Sequence, residues 1–266
     1  MTLFSEVLAT ITPAAEQTIA LPTGWGQGRA LFGGLTAAIA WQHAQYGAAP
    51  EQHLHSFTVS FVAPVQPGQV KLLRQILRQG SSVTQISVNL VQDNNVVLAA
   101  LATYGKPRQS AVNMDNTPAP AIPTREHALQ FPPVAAAILP EFTHHFDYAI
   151  TVGGLPFSGV TTNQFGGWMR FRDEQQPMTI GLLLGLVDAW PPAVLPHLTS
   201  PVPASSLTWT IEFPEPLQSS AQSSDWWQYV ATIDYAANGY GHTQAHVWDP
   251  EHKLVAISRQ VVTVFG

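Results

Sequence analysis

Apolar and polar residues alternate one for one through long stretches of this chain, the period-2 signature of strands with one buried face. From Leu54 to Val62, residues His55, Phe57, Val59 and Phe61 fall on one side and Ser56, Thr58 and Ser60 on the other. Further strands are predicted over 70–78, 83–92 and 96–104, with Gln79-Gly80-Ser81 and Asp93-Asn94-Asn95 as the tight turns between them. Ahead of this meander, Gly33-Gly34 opens a proline-free stretch rich in Ala and Leu, which predicts a helix over 35–46 stopped by Gly47. Over 107–142 the pattern dissolves around Pro107, Pro118, Pro120, Pro123, Pro132 and Pro133, and this segment reads as a linker. Strands follow over 146–152 and 168–172, then a helix over 178–190 closed by Pro191-Pro192. Four more strands complete the chain, over 205–213, 227–236, 242–248 and 254–264, with Asn238-Gly239 as a hairpin turn. The element order of the first half therefore returns in the second. Phe57-x-Val59-x-Phe61-x-x-Pro64 reappears as Trp209-x-Ile211-x-Phe213-x-x-Pro216. A duplicated unit, 1–106 and 143–266, each one helix wrapped by an antiparallel sheet, buries the apolar faces most simply; the fold class is α+β.

Composition narrows the partners. With 266 residues, 45% of them hydrophobic and 11% charged, the chain holds ample core material. A formal net charge of −6 without a Lys/Arg cluster excludes a nucleic-acid partner, which needs a basic stripe. The chain has no cysteine, so disulfides, thiolate metal sites and a cysteine nucleophile are all excluded. Residues 1–11 lack the basic flank of a secretory signal, and no apolar run approaches the roughly 20 residues of a membrane span, so a cytoplasmic protein without membrane contact is expected.

Several short motifs, in order, resemble one family. Phe32-Gly33-Gly34-Leu35, then Leu54-His55-Ser56-Phe57 and Phe61-x-x-Pro64, resemble the N-terminal half of the thioesterase II family of acyl-CoA thioesterases. Leu183-Leu184-Gly185-Leu186-Val187-Asp188 resembles its catalytic helix, Ser206-Leu207 the start of its catalytic strand, and Ser258-Arg259-Gln260 its last strand. The resemblance implies a double hotdog fold and hydrolysis of medium- or long-chain fatty acyl-CoA by a water held between Asp188, Ser206 and Gln260. Ser206 stands where Thr is more usual. No cofactor and no metal are implied, and a homo-oligomer is expected. Gly33, Gly34 and His55 are the candidate substrate contacts, and an apolar tunnel beside the Asp188 helix is expected to take the acyl chain.

The repeat bears on the same residues. Aligning the halves sets Ser206 against Leu54, Gln260 against Thr103 and Asp188 against Ile39, so acid, hydroxyl and amide concentrate in the second half. Asp188 is the one charged residue between Ile180 and Trp190, where desolvation raises a carboxyl's proton affinity as a general base requires. The alternative is a surface residue capping the Pro191-Pro192 turn, although a carboxylate near its own helix C-terminus is disfavoured by the dipole. His242-x-x-x-His246 lacks a third ligand for a metal. Gly24-Trp25-Gly26-Gln27-Gly28 lacks the strand, helix and Lys of a phosphate loop and reads as a turn, with Arg29 and the helix start nearby as possible contacts for a CoA phosphate. Two rival functions share this fold: an enoyl-CoA hydratase, which pairs Asp with a His five residues on where this chain has Ala193, and a silent acyl-CoA binding module.

Overall fold

A computed structural model describes residues 2–131, 139–217 and 220–265. Pro132 and Pro133 of the linker lie outside them. The chain folds as α1 (Phe4–Ala9), β1 (Glu16–Leu21), a small hairpin β2 (Gly26–Gln27) and β3 (Ala30–Leu31), α2 (Gly33–Gln45) and the meander β4 (His53–Phe61), β5 (Gly68–Gln79), β6 (Val83–Gln92) and β7 (Asn95–Gly105). After the linker come β8 (Phe146–Val152), β9 (Gln164–Phe171), α3 (Ile180–Asp188), β10 (Ala204–Glu212), β11 (Trp227–Ala237), β12 (Tyr240–Trp248) and β13 (Leu254–Val264).

Eleven strands form one antiparallel sheet in the order β1-β5-β6-β7-β4-β10-β13-β12-β11-β9-β8. Read outward from the centre, β4-β7-β6-β5-β1 on one side matches β10-β13-β12-β11-β9 on the other, a twofold arrangement. Its axis falls on the seam, where Thr58 pairs with Thr210 and their hydroxyls lie 3.1 Å apart. These two residues are separated by 152 positions, the offset of the sequence repeat, so each is the other's counterpart. One face of the sheet wraps α2 and α3, with Phe57, Val59, Trp209 and Ile211 fully buried beneath them. This is a double hotdog.

Among the described residues, the other sheet face carries no α-helix, and part of the linker runs over it. Trp248 donates to the Thr117 carbonyl, Gln228 to that of Pro120 and Trp168 to that of Pro123, so this stretch is strapped to the second unit. The pattern reading did not include α1 and β1. Phe4, Val7, Leu8 and Ile11 carry helical spacing and are all buried, while β1 exposes alternate residues at the sheet edge. Among the described residues, no helix is long and apolar enough to cross a membrane.

Candidate active site

Asp188 ends α3, and the α2 N-terminus comes to meet it. The two helices run antiparallel, so the start of each lies beside the end of the other. A Cβ on Gly33 would sit 2.8 Å from Asp188 Oδ2, and one on Gly34 would sit 3.0 Å from Asp188 Cβ and 2.5 Å from Phe32 Cζ. Only glycine permits this approach. It lets the Gly34 N–H donate to the carboxylate and sets the positive end of the α2 dipole beside it. The unfavourable dipole of Asp188's own helix is thereby offset by its neighbour's.

Gln260, on β13, donates from Nε2 to Asp188 Oδ1 at 2.8 Å. Burial among apolar side chains nevertheless pushes the Asp188 carboxyl up to about 7, against the lowering effect of the Gln260 and Gly34 hydrogen bonds. Two residues missed by the sequence reading complete the surroundings. Tyr148 donates to the Ala189 carbonyl at 3.0 Å, and Tyr229 stacks on Trp190 with centroids 4.8 Å apart. Burial raises both phenols, and the Asp188 charge adds to the rise. Their positions on β8 and β11 carry no local sequence signal; only the wrapping of the sheet brings them to α3.

Ser206 reaches the helix side of the sheet through a β-bulge. Pairing runs Ser206 to Val262 and Thr208 to Val261, so Leu207 takes an extra position and Ser206 falls on the same face as Trp209 and Gln260. Without the bulge, residues 206 and 209 would face opposite ways. Ser206 lies diagonal to Gln260 across the strand pair, about 7 Å in such a register. Its hydroxyl bonds to neither Asp188 nor Gln260, so two of the three predicted side chains touch and the third stands beside them.

The first unit has the same bulge at the matching place, between Leu54 and Ser56. Here the extra residue is His55, which leaves the apolar face expected for it. His55 is exposed on the outer sheet face, its ring 4.2 Å from that of His53, apart from Asp188 and the two glycines. The register also corrects two of the pairings drawn between the halves. Trp209 pairs with Gln260 and its counterpart Phe57 with Ala102, so the partner position of Gln260 is Ala102 and not Thr103. Gly181 at the start of α3 meets Trp41 as Gly34 meets Asp188, which sets Trp41, not Ile39, opposite Asp188. Acid, hydroxyl and amide in the second unit thus occupy the positions that Trp41, Leu54 and Ala102, all buried, hold in the first.

Two cavities, of about 140 and 370 Å³, open around Glu215, Leu217 and Lys253 and around Trp168, Trp226 and His252; neither includes Asp188 or forms the expected apolar tunnel. The glycine-rich stretch at 24–28 forms the β2–β3 hairpin, where the Gly26 N–H already donates to Glu141 Oε2 at 3.0 Å.

Comparison with curated proteins returns no match. Among solved structures, the fold is similar to a conserved hot dog protein of unknown function from Alicyclobacillus acidocaldarius, with TM-score 0.84, 22% identity and coverage of 99% of this chain and 98% of that one. It is also similar to the acyl-CoA thioesterase II TesB2 from Mycobacterium marinum, with TM-score 0.66, 18% identity and coverage of 94% and 93%. The tesB protein of Mycobacterium avium subs paratuberculosis gives TM-score 0.76, 16% identity and coverage of 99% and 100%. Two family models match in sequence order: the acyl-CoA thioesterase N-terminal domain over 21–105 and the acyl-CoA thioesterase C-terminal domain over 114–264. With the second match alone spanning more than half of its residues, the chain belongs to the acyl-CoA thioesterase family that these two models describe.

Proposed function

We propose that this protein hydrolyses acyl-CoA thioesters with a water activated by Asp188. The carrying observation is the contact between Gln260 Nε2 and Asp188 Oδ1 at the N-terminus of α2, in a setting that holds the carboxyl near neutrality. In this reading the water oxygen attacks the thioester carbonyl carbon, its proton passes to Asp188, and the carbonyl π pair moves onto oxygen. Collapse of that intermediate breaks the C–S bond, and the CoA sulfur leaves with the proton that Asp188 returns. The products are a carboxylic acid and CoA. Gln260 is the second hydrogen-bond partner of the water, through the carbonyl end of its amide, and Ser206 is the third. Negative charge on the carbonyl oxygen develops beside the positive end of α2.

The work divides between units 1–106 and 143–266: the first lends a helix start, the second the reacting side chains. A silent acyl-CoA binding module would have no use for a near-neutral carboxyl aimed at an amide. Exposed Leu101 and Leu207 on the sheet agree with a homo-oligomer, which mass measurement by light scattering checks. The function itself is tested by thiol release from acyl-CoA, with Asp188→Asn as the comparison. Release by the parent and a fall of at least about 100-fold in kcat for the variant are expected; equal rates would end the proposal.

A further inference from the structure

The larger of the two cavities, about 370 Å³, lies on the outer face of the second unit, where the linker meets β9 and the turn between β12 and β13. Thr124 and Arg125 of the linker form one wall, and Trp168, Asp225, Trp226 and His252 form the others. Strand alternation puts the sheet between this cavity and Asp188. Met169 and Trp227 are fully buried on the helix side, so their neighbours Trp168 and Trp226 point the other way. The volume is more than twice the roughly 150 Å³ that holds one benzene, and it falls in the range of small-molecule sites, about 300–1,000 Å³.

The walls are aromatic and held in place. The Trp168 indole N–H donates to the Pro123 carbonyl at 3.1 Å, and the Trp168 ring meets that of His252 at 76°, with centroids 6.4 Å apart. Two rings at this angle make a corner in which a third planar ring stacks on one and meets the other with its edge. His252 is kept there at φ 65°, a left-handed backbone that Gly or Asn adopts with less strain. The Trp226 ring carries two guanidinium groups, that of Arg170 at 4.7 Å and that of Arg125 at 5.2 Å from its centroid. Arg170 is ion-paired with Asp147 at 3.0 Å. Arg125 is not: among the described residues its guanidinium makes no hydrogen bond and no ion pair. The acid of the cavity, Asp225, is already engaged by the Gln222 N–H at 2.8 Å. A cation left unpaired beside an aromatic corner, in a chain of net charge −6, has an anion as its complement.

We propose that this cavity is a second binding site, for a planar aromatic ring joined by a short spacer to an anionic group. The ring fills the corner of Trp168 and His252, the anion pairs with Arg125, and the volume beyond one ring takes the spacer. A nucleoside monophosphate and an aryl carboxylic acid both carry this chemistry. Isothermal titration of the full chain with AMP and with indole-3-acetate separates the two, with adenosine as a ring alone and inorganic phosphate as an anion alone. At least one of the first two is expected to bind with Kd below about 1 mM, and the isolated parts at least about tenfold more weakly. Arg125→Ala, at an exposed position, should weaken the bound probe at least about tenfold by removing the charge-assisted contact. His252→Asn suits the turn and should weaken it about threefold or more. Asp188→Asn should keep the parent's affinity. Kd above about 1 mM for both AMP and indole-3-acetate overturns the site, as does unchanged affinity in either Arg125→Ala or His252→Asn. Affinity lost in Asp188→Asn overturns it too, because the probe then sits on the other side of the sheet.

Discussion

A carboxyl group that titrates near neutrality leaves two separate marks on behaviour, one on rate and one on stability. If Asp188 must be ionised to take a proton, kcat/KM rises about tenfold per pH unit below about 7 and levels off above it. A rate profile flat from pH 5 to 9 would contradict this role. The stability effect has the opposite sense. With its folded value raised from the ordinary 3.8 to about 7, Asp188 binds more protons in the native than in the unfolded chain across that window, so the parent loses stability as pH climbs through it. At about 1.4 kcal/mol per tenfold the ceiling is about 4 kcal/mol, and partial accessibility of the group lowers it. Asp188→Asn removes the titration, so its melting temperature relative to the parent should rise between pH 4.5 and 7.5. Calorimetry at several pH values reads this directly. Ser206→Leu, which installs the residue of the first unit, should fold normally and lose about tenfold or more in thiol release.

The helices meet end to start, and this meeting depends on residues that have no side chain to offer. Gly34→Ala forces a methyl against Phe32 and Asp188, which should cost about 1–3 kcal/mol in denaturant melts and lower kcat about tenfold or more through displacement of the carboxylate. Helices α2 and α3 were legible from composition and their closing signals; that the Gly-Gly start of one would receive the acid of the other was not, because nothing in a linear pattern fixes which helix ends face. The strand at 254–264 was equally clear, but not the partner of Gln260. The bulges are the sharpest case. Strict alternation puts His55 with Phe57 on the buried side, whereas one inserted residue turns His55 outward and Leu54 inward. The same insertion, in the second unit, turns Ser206 toward Gln260.

Across the whole molecule, the seam between β4 and β10 joins the units through counterpart residues. Thr58→Val or Thr210→Val alone leaves one hydroxyl without its partner and should cost about 1 kcal/mol, while the double variant should cost less than the sum. Additive losses in a double-mutant cycle would show that the contact contributes nothing. The repeat, the two wrapped helices and the residue types able to activate water were all present in the sequence by itself, because period, turn chemistry and side-chain inventory are local properties. Tertiary structure alone decided that the first unit answers Asp188 with Trp41 and Gln260 with Ala102, that β1 and α1 join the core, and that Asp188 is held near neutrality. Those outcomes depend on sheet register and on desolvation by neighbours distant in the chain, and neither quantity exists until the chain has folded.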